Sequence, residues 1–402
     1  MSTDAQGGLK RFRTLDDLDV AGKTVLVRAD LNVPMRDGEV SDDTRIRSVI
    51  PTLKAILARG GKVVVLSHFG RPKGKRVPEA SLRPVAEPLA RALGRPVAFA
   101  EDCVGDDARK IVKGHDVVLL ENLRYHAGEE ANGEGFAAKL AELGDLFVND
   151  AFSVSHRAHA SVEAITRHLP SAAGLSMQAE LQALEKALHN PDRPVAAIVG
   201  GSKVSTKLDV LGALVNKMDY LIIGGGMANT FLYAKGVDVG ASLCEKDLKD
   251  KALEVLARAR TTACKILLPI DAVVAQELAA NVPVREVPVR EVESDDMILD
   301  VGSDTIEELK HTLRRCKTLL WNGPLGAFEI RGFDVGTVAL AREAARLTRD
   351  GNLLSVAGGG DTVSALNNAG VSHDFTYVST AGGAFLEWVE GKELPGVKAL
   401  QV

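Results

Sequence analysis

The sequence predicts an α/β protein built from two doubly wound parallel sheets, one in each half of the chain. Three observations carry this. Short, nearly continuous apolar β-branched runs recur along the whole length, as expected of strands covered by helices on both faces. Helix-period segments alternate with them, which is the pattern of a βα series. Finally, 402 residues are too many for one core and suit two domains.

In the first half the strands are "KTVLVRAD", "KVVVLSH", "DVVLLEN" and "LFVND". Those of the second half are "PVAAIVGG", "YLIIGGG", "KILLPID", "TLLWNG", "NLLSVAGGG" and "FTYVST". Between them the 3.6-residue period and its end signals predict helices at 44–59, 81–93, 248–261 and 335–347. The pattern breaks at "LPSAAGLSM", and a charged helix, "QAELQALEKALHN", follows before "PDRP". A linker helix is therefore expected at 171–188, with hinges at about 170–190 and 385–395. No fixed-period repeat or low-complexity segment interrupts the series.

Composition narrows the function classes. The chain is 46% hydrophobic and 26% charged, ordinary for a soluble globular protein. A net charge of −5 gives no reason to expect nucleic acid or an acidic membrane surface as partner. The start, "MSTDAQGGLKRFRTLDDLD", lacks the apolar core of a secretory signal, and no apolar run is long enough for a membrane span. Cys103, Cys244, Cys264 and Cys316 are far apart with no C-x-x-C, which fits buried thiols in a reducing compartment. The expectation is a cytoplasmic protein.

In open α/β sheets ligands collect beyond the carboxyl ends of the strands, and the two halves end their strands differently. The first half places polar and cationic groups there: Asp30 and Asn32 in "RADLNVP", His68 and Arg71 in "SHFGRP", Arg124 in "ENLRYH". Then His156, Arg157 and His159 follow in "NDAFSVSHRAHAS", and Arg45 opens the helix after "DLNVP". A single arginine is usually a solvated surface residue or an ion-pair partner. Four at successive strand ends describe a site for a small ligand with concentrated negative charge, since the guanidinium fork binds carboxylate and phosphate bidentately. His126 and His159 stand outside any metal-ligand spacing, so structural hydrogen bonds are expected of them.

The second half ends its strands in glycine: Gly200-Gly201, Gly224-Gly225-Gly226, "NGPLGAFE", Gly358-Gly359-Gly360-Asp361-Thr362 and "STAGGAF". One such pair is more often a tight turn than a site. Five of them suggest a nucleotide cleft, because glycine admits close backbone approach and helix N-termini present free N–H groups to phosphate. The usual P-loop, G-x-x-x-x-G-K-[ST], is absent; Gly22-Lys23-Thr24 has Asp17 where the motif needs glycine. In "VAAIVGGSKVSTK" a helix is expected from about Ser202, placing Lys203 and Lys207 on one face of its first turns. Two cations there need an anion to offset the helix dipole. Asp361 reads either as an N-cap or, beside a nucleotide, as a Mg²⁺ ligand.

An anion site in one half and a nucleotide cleft in the other describe a two-domain kinase. No residue is marked out as a base, which makes sense if the acceptor is a carboxylate, already ionised at pH 7. Catalysis then reduces to positioning and charge neutralisation.

"RADLNVP", "SHFGRP", "ENLRYHAGE", "DAFSVSHRAHAS", "GGSKVSTK", "NGPLGAFE", "GGGDT" and "GKELPGVKAL" occur in this order and spacing. Over essentially its whole length the chain closely resembles the phosphoglycerate kinases. The resemblance implies two Rossmann-like domains joined by a hinge helix, with 390–402 returning to residues 1–170 as the phosphoglycerate-binding domain and 189–389 as the nucleotide-binding domain. It implies reversible phosphoryl transfer from 1,3-bisphosphoglycerate to ADP, giving 3-phosphoglycerate and MgATP, by a monomer. Asp30, Asn32, Arg45, His68, Arg71, Arg124 and Arg157 would bind the phosphoglycerate, with Arg45 facing the reacting carboxyl-phosphate. Lys203 would steady the phosphoryl group in transfer, Lys207 would bind the nucleotide phosphates, and Asp361 would bind the metal. Gly201, Gly225, Asn322, Pro324, Glu329, Gly358, Gly359, Gly360 and Thr362 would line the nucleotide site, Glu329 at the ribose. Two departures stand out: Thr206 where many members have aspartate, and Ser153 where many have glycine. Rival readings are a two-lobed anion-binding protein and a kinase for another carboxylate, such as acetate or aspartate. The first would not need a glycine-rich half, and the second would not need arginines for a second phosphate.

Overall fold

The fold was analysed in a computed structural model, which describes residues 11–402. The chain divides into two compact units. The first ends at Gln182 and takes back Glu393–Val402; the second is Ala183–Lys392.

In the first unit the strands are β1 (Thr24–Arg28), the short hairpin β2 (Met35–Arg36) and β3 (Glu39–Val40), β4 (Lys62–Leu66), β5 (Ala98–Ala100), β6 (Val117–Leu120), β7 (Leu146–Asn149) and β8 (Ser171–Ala173). The hairpin stands apart; the others form one parallel sheet in the order β5-β6-β4-β1-β7-β8. Alternation within the strands explains why they read as continuous apolar runs. Val25, Val27, Val63 and Val65 pack with Ile46 and Leu53 of helix Thr44–Ala58 and Leu89 of helix Arg83–Leu93. Leu26, Val64 and Leu66 face the other way, onto Val112 of helix Asp106–Gly114 and Leu140 of helix Glu134–Ala141. Both faces of the sheet are covered. The returning terminus pairs Phe12 with Gln401 in an antiparallel bridge, and Gly396 N–H donates to Ser155 O at 2.9 Å.

The second unit holds β9 (Val195–Val199), β10 (Tyr220–Ile223), β11 (Lys265–Leu267), β12 (Asp271–Ala275), β13 (Arg285–Pro288), β14 (Met297–Val301), β15 (Thr318–Asn322), β16 (Leu354–Gly358) and β17 (Tyr377–Ser379). Six of these make a parallel sheet in the order β11-β10-β9-β15-β16-β17. The remaining three form a separate antiparallel sheet, β13-β12-β14.

The six predicted strands of the second half are the six of its parallel sheet. The antiparallel sheet was not expected, nor were the edge strands β5 and β8. Those edges are three residues long, too short for period or composition to mark them. Four helices differ from expectation by a residue or two, Thr44–Ala58, Arg83–Leu93, Lys249–Thr261 and Val335–Arg349, whereas the helix expected at 171–188 runs Leu175–Leu188 because β8 occupies its first three positions. The last expectation to change is the helix at Ser202. Lys203 is extended (φ −131°, ψ 128°), a 3-10 turn covers Val204–Thr206, and the α-helix begins at Leu208. Lys203 and Lys207 therefore precede the helix instead of sharing its face.

Candidate functional site

In each parallel sheet the strand order reverses beside the first strand, which is where α/β sheets bind ligands. In the first unit this point lies between β1 and β7. Asp30 follows β1, and Ser153 follows β7. Ser153 Oγ donates to Asp30 Oδ2 at 2.6 Å, and Arg45 Nη1 donates to Asp30 Oδ1 at 3.0 Å and to Asn32 O at 2.9 Å. Asn32 Oδ1 accepts from Gly70 N–H at 2.9 Å, tying the β4 loop to the same corner. Thus Ser153, one of the departures, clamps the carboxylate that orients Arg45.

Around this corner the cations crowd together. Arg124 is buried and donates to Gly70 O at 2.8 Å, while its Nε has no hydrogen-bond partner among the described residues; Glu130 lies 3.7 Å away. Arg71 and Arg157 are both close enough to disfavour its charge, after burial itself. Burial, reinforced by Arg28, Arg124 and Arg45, holds the His68 imidazole well below its ordinary range. His159 is pushed down to about 4, by burial first and then by Arg124 and Arg28. Both histidines are therefore neutral at pH 7, and the positive charge belongs to arginines.

Sequence reasoning missed Arg28. It ends β1 and is fully buried. It donates through Nε to Ser161 Oγ at 2.9 Å, through Nη1 to Ala29 O, and through Nη2 to His68 Nδ1 at 3.1 Å if that nitrogen is the acceptor. The buried Glu129, which accepts from Ser161 Oγ at 2.6 Å, offsets its charge. An arginine closing an otherwise apolar strand was the available signal. His126, by contrast, has the structural bond expected of it, to Asp102 Oδ1 at 2.7 Å.

In the second unit the reversal lies between β9 and β15. Here the loops meet backbone to backbone. Gly200 N–H donates to Asn322 O at 2.9 Å, Met227 N–H to Gly201 O at 3.0 Å and Gly225 N–H to Leu325 O at 2.8 Å. A Cβ on Gly225, which has φ +66°, would stand 2.7 Å from Gly201 O; no other residue fits both the angle and the gap. Asn322 and Thr362 brace the loops from behind: Asn322 Nδ2 donates to Gly358 O at 2.7 Å, and Thr362 Oγ1 accepts from Gly323 N–H at 2.7 Å.

Lys207 Nζ donates to Gly200 O at 2.6 Å and Asn322 O at 3.3 Å, so it sits at the centre of this junction. Burial pulls its pKa down to about 8 against the Asp361 carboxylate. Gly359 (φ +101°) is the N-cap of helix Gly360–Asn368, and Asp361 makes no capping bond there. Its exposed carboxylate is left for another partner. Lys203 is exposed, close enough to Glu245 to favour that group's ionised form. A cavity of about 290 Å³ opens beside the junction, lined by Gly201, Gly225, Pro324, Glu329 and Asp361 and by apolar residues of β14. Those apolar residues belong to the unforeseen antiparallel sheet.

A cluster of arginines on one doubly wound sheet and glycine loops around a cavity on a second are the makings of a small-molecule phosphotransferase. A phosphoglycerate kinase family model matches residues 15–392. The chain is 61% identical to the phosphoglycerate kinases of Methylorubrum extorquens and Zymomonas mobilis, in each case over 97% of its length and 98% and 99% of theirs. The solved phosphoglycerate kinase of Coxiella burnetii superposes with a TM-score of 0.89 at 40% identity, covering 97% of this chain and 99% of that one. For the Pyrococcus horikoshii structure the TM-score is 0.82 at 32% identity, covering 97% and 98%. The chain belongs to the phosphoglycerate kinase family. It is a glycolytic kinase that reversibly transfers the acyl phosphate of 1,3-bisphosphoglycerate to ADP.

Proposed function

We propose that the two strand-end clusters divide this reaction between them, acceptor in the first unit and nucleotide in the second. Asp30, Asn32, Arg45, His68, Arg71, Arg124 and Arg157 hold 3-phosphoglycerate or 1,3-bisphosphoglycerate, and Arg28 supports them from below. The observation that carries this reading is the crowding of arginines around a corner whose carboxylate Asp30 already serves Arg45 and Ser153. Such a corner suits a ligand bearing both carboxylate and phosphate.

In the direction of ATP synthesis a β-phosphate oxygen of ADP attacks the acyl phosphorus, and the carboxylate leaves with the bonding electrons. No proton has to move, so no base is needed. Arg45 steadies the charge growing on the carboxylate. Lys203, exposed and extended ahead of its helix, follows the phosphoryl group, and Lys207 holds the nucleotide phosphates. Gly201, Gly225, Gly358, Gly359, Gly360 and Pro324 supply close backbone approach, Asn322 and Thr362 brace it, and Glu329 takes the ribose. The free carboxylate of Asp361 fits Mg²⁺, a hard ion that binds through one or two carboxylates plus phosphate and keeps its waters. Bound with the nucleotide, Mg²⁺ supplies neutralisation of phosphate charge. We further propose that the enzyme works as a cytoplasmic monomer; among the described residues no helix is long and apolar enough to cross a membrane.

A coupled assay of ATP consumption tests the acceptor. Turnover with 3-phosphoglycerate and none with acetate or aspartate is expected; equal use of acetate would refute the arginine assignment.

A further inference from the structure

Arg28 is 0% exposed, so no ligand touches it, yet its hydrogen bonds reach the corner of the first unit. Its Nε donates to Ser161 Oγ at 2.9 Å and its Nη1 to Ala29 O, which fixes the plane of the guanidinium. Ser161 Oγ in turn donates to Glu129 Oε1 at 2.6 Å, and Ser161 N–H donates to Glu129 Oε2 at 3.0 Å. Ser161 and Glu129 are as deeply buried as Arg28. The remaining Nη2 lies 3.1 Å from His68 Nδ1. A guanidinium has donors only and keeps its charge, so this bond requires a bare Nδ1. Burial, and then Arg28, Arg124, Arg45 and His159 around it, keep the ring neutral. A neutral imidazole carries one proton, and with Nδ1 bare it sits on Nε2. Nε2 has no hydrogen-bond partner among the described residues but is not sealed in, so a ligand or water can reach it.

We infer that Arg28 is a positioning residue: held by Ser161 and Glu129, it fixes the tautomer of His68 so that the Nε2–H group faces the anionic acceptor as a hydrogen-bond donor. This rests on the acceptor reading of the corner given above. Carboxylate and phosphate oxygens need donors, and the other tautomer would turn a lone pair on them. It would also set the Nη2 donor of Arg28 against a second donor, so the buried bond could not form. Arg124 and Arg45 act on the ring through charge, whereas Arg28 is the arginine bonded to one of its nitrogens. Glu129 completes the relay by offsetting the guanidinium charge, which lets a buried arginine stand beside a neutral ring.

The test reads the tautomer directly, by ¹⁵N correlation spectra of the imidazole rings in the ligand-free chain, with His68 assigned by the signals lost in His68→Gln. Nδ1 should resonate as a bare nitrogen and Nε2 as a protonated one, unchanged from about pH 6 to 8. A His68 ring protonated at Nδ1 overturns the inference. In Arg28→Met/Glu129→Gln, which removes both buried charges together, the Nδ1 signal should move part-way towards the protonated position. An unmoved signal there also overturns it. Should that variant fail to fold, Ser161→Ala, which leaves Arg28 in place but frees its Nε, takes over and should move the same signal in the same direction. The functional consequence is read by kinetics. The Arg28 variant should raise KM for 3-phosphoglycerate about tenfold to a hundredfold, the range for a hydrogen bond to a charged group, and leave KM for the nucleotide unchanged. In a His68→Gln background the same substitution should add little, because it acts through that ring. Additive effects refute the positioning role. The spectra need no ligand, so an error in the acceptor reading shows separately, as a His68→Gln enzyme with unchanged KM for 3-phosphoglycerate, and that result removes the inferred role as well.

Discussion

Lys207 should give nucleotide binding an alkaline limit. Its ammonium is drawn into the loop junction, where Gly200 O and Asn322 O accept from it, and burial lowers its pKa to about 8 although Asp361 works the other way. A nucleotide phosphate beside it favours the charged form, so the bound pKa lies above the free one and binding takes up a proton between the two. The sign follows: affinity is complete below pH 8 and declines as pH rises through it. With only the charged fraction competent, the apparent Kd scales as 1 + 10^(pH − 8). It should therefore rise about tenfold between pH 7 and pH 9. Phosphate's own second ionisation, near pH 6, is finished before this window opens. Calorimetry of MgADP binding in buffers of different ionisation enthalpy would read both the affinity and the proton uptake. Lys207→Arg stays charged throughout and should flatten the pH dependence, whatever it does to the affinity itself. A wild-type affinity that is level from pH 7 to 9, with no proton taken up, would refute this account of the lysine.

The other expectations are more direct. Lys203→Ala should lower kcat by about a hundredfold to a thousandfold with little change in KM, as for a contact made chiefly in the transition state; a raised KM at normal kcat would remove it from that role. Asp361→Asn should fold normally yet lose MgADP affinity, because its carboxylate caps nothing; a lower Tm with normal activity per folded molecule would make it a cap after all. Burial raises the Asp300 carboxyl to about 7, while Gly336 and Val301 N–H groups donate to it. Its folded pKa is above the unfolded one, so its contribution is present at low pH and lost as pH climbs through 7, roughly 4 kcal/mol in all. Unfolding of Asp300→Asn should therefore show a shallower decline in stability from pH 5 to 8 than the wild type, and identical slopes would count against it. Because reacting atoms must approach within roughly 3–3.5 Å, the radius of gyration in solution should fall when both substrates bind and less with either alone. Scattering curves that coincide in all four states would rule this out.

Much of this was legible in the chain because parallel strands buried on both faces leave continuous apolar runs, and ligand groups follow directly at their ends. Asp30, Arg124, Gly200 and Asp361 could be found simply by looking past each run. What stayed hidden depended on one-sided or very short elements. Strand β14, "MILDV", is only partly buried, and β13, "REVP", looks like loop; without their sheet, the apolar lining of the nucleotide cavity had no address. Lys203 was misplaced for another reason. Glycine followed by polar residues resembles a helix start, but the positive φ of Gly201 and the extended backbone of Lys203 carry the chain outward for a further turn before Leu208. Arg28 was overlooked because an arginine that closes a strand resembles an ordinary surface residue until the fold surrounds it.

Taken together, the electrostatics of the two units differ in a way that bears on catalysis. At the acceptor corner the histidines are held neutral by burial and by the arginines, whose charge does not titrate in any physiological range. Acceptor binding should therefore keep a constant positive field from pH 6 to 9. In the nucleotide unit the buried cation is a lysine, which burial can bring near neutrality and a phosphate can recharge. A fixed field suits an acceptor whose carboxylate and phosphate are ionised in every state. A lysine whose charge depends on its ligand suits a site that takes up and releases polyphosphates of different charge, ADP on one side of the reaction and ATP on the other. Exchanging the residue types separates the two roles: Lys207→Arg should remove the pH dependence of nucleotide binding, whereas Arg124→Lys, at a buried position, should lose charge and weaken acceptor binding in a calorimetric titration.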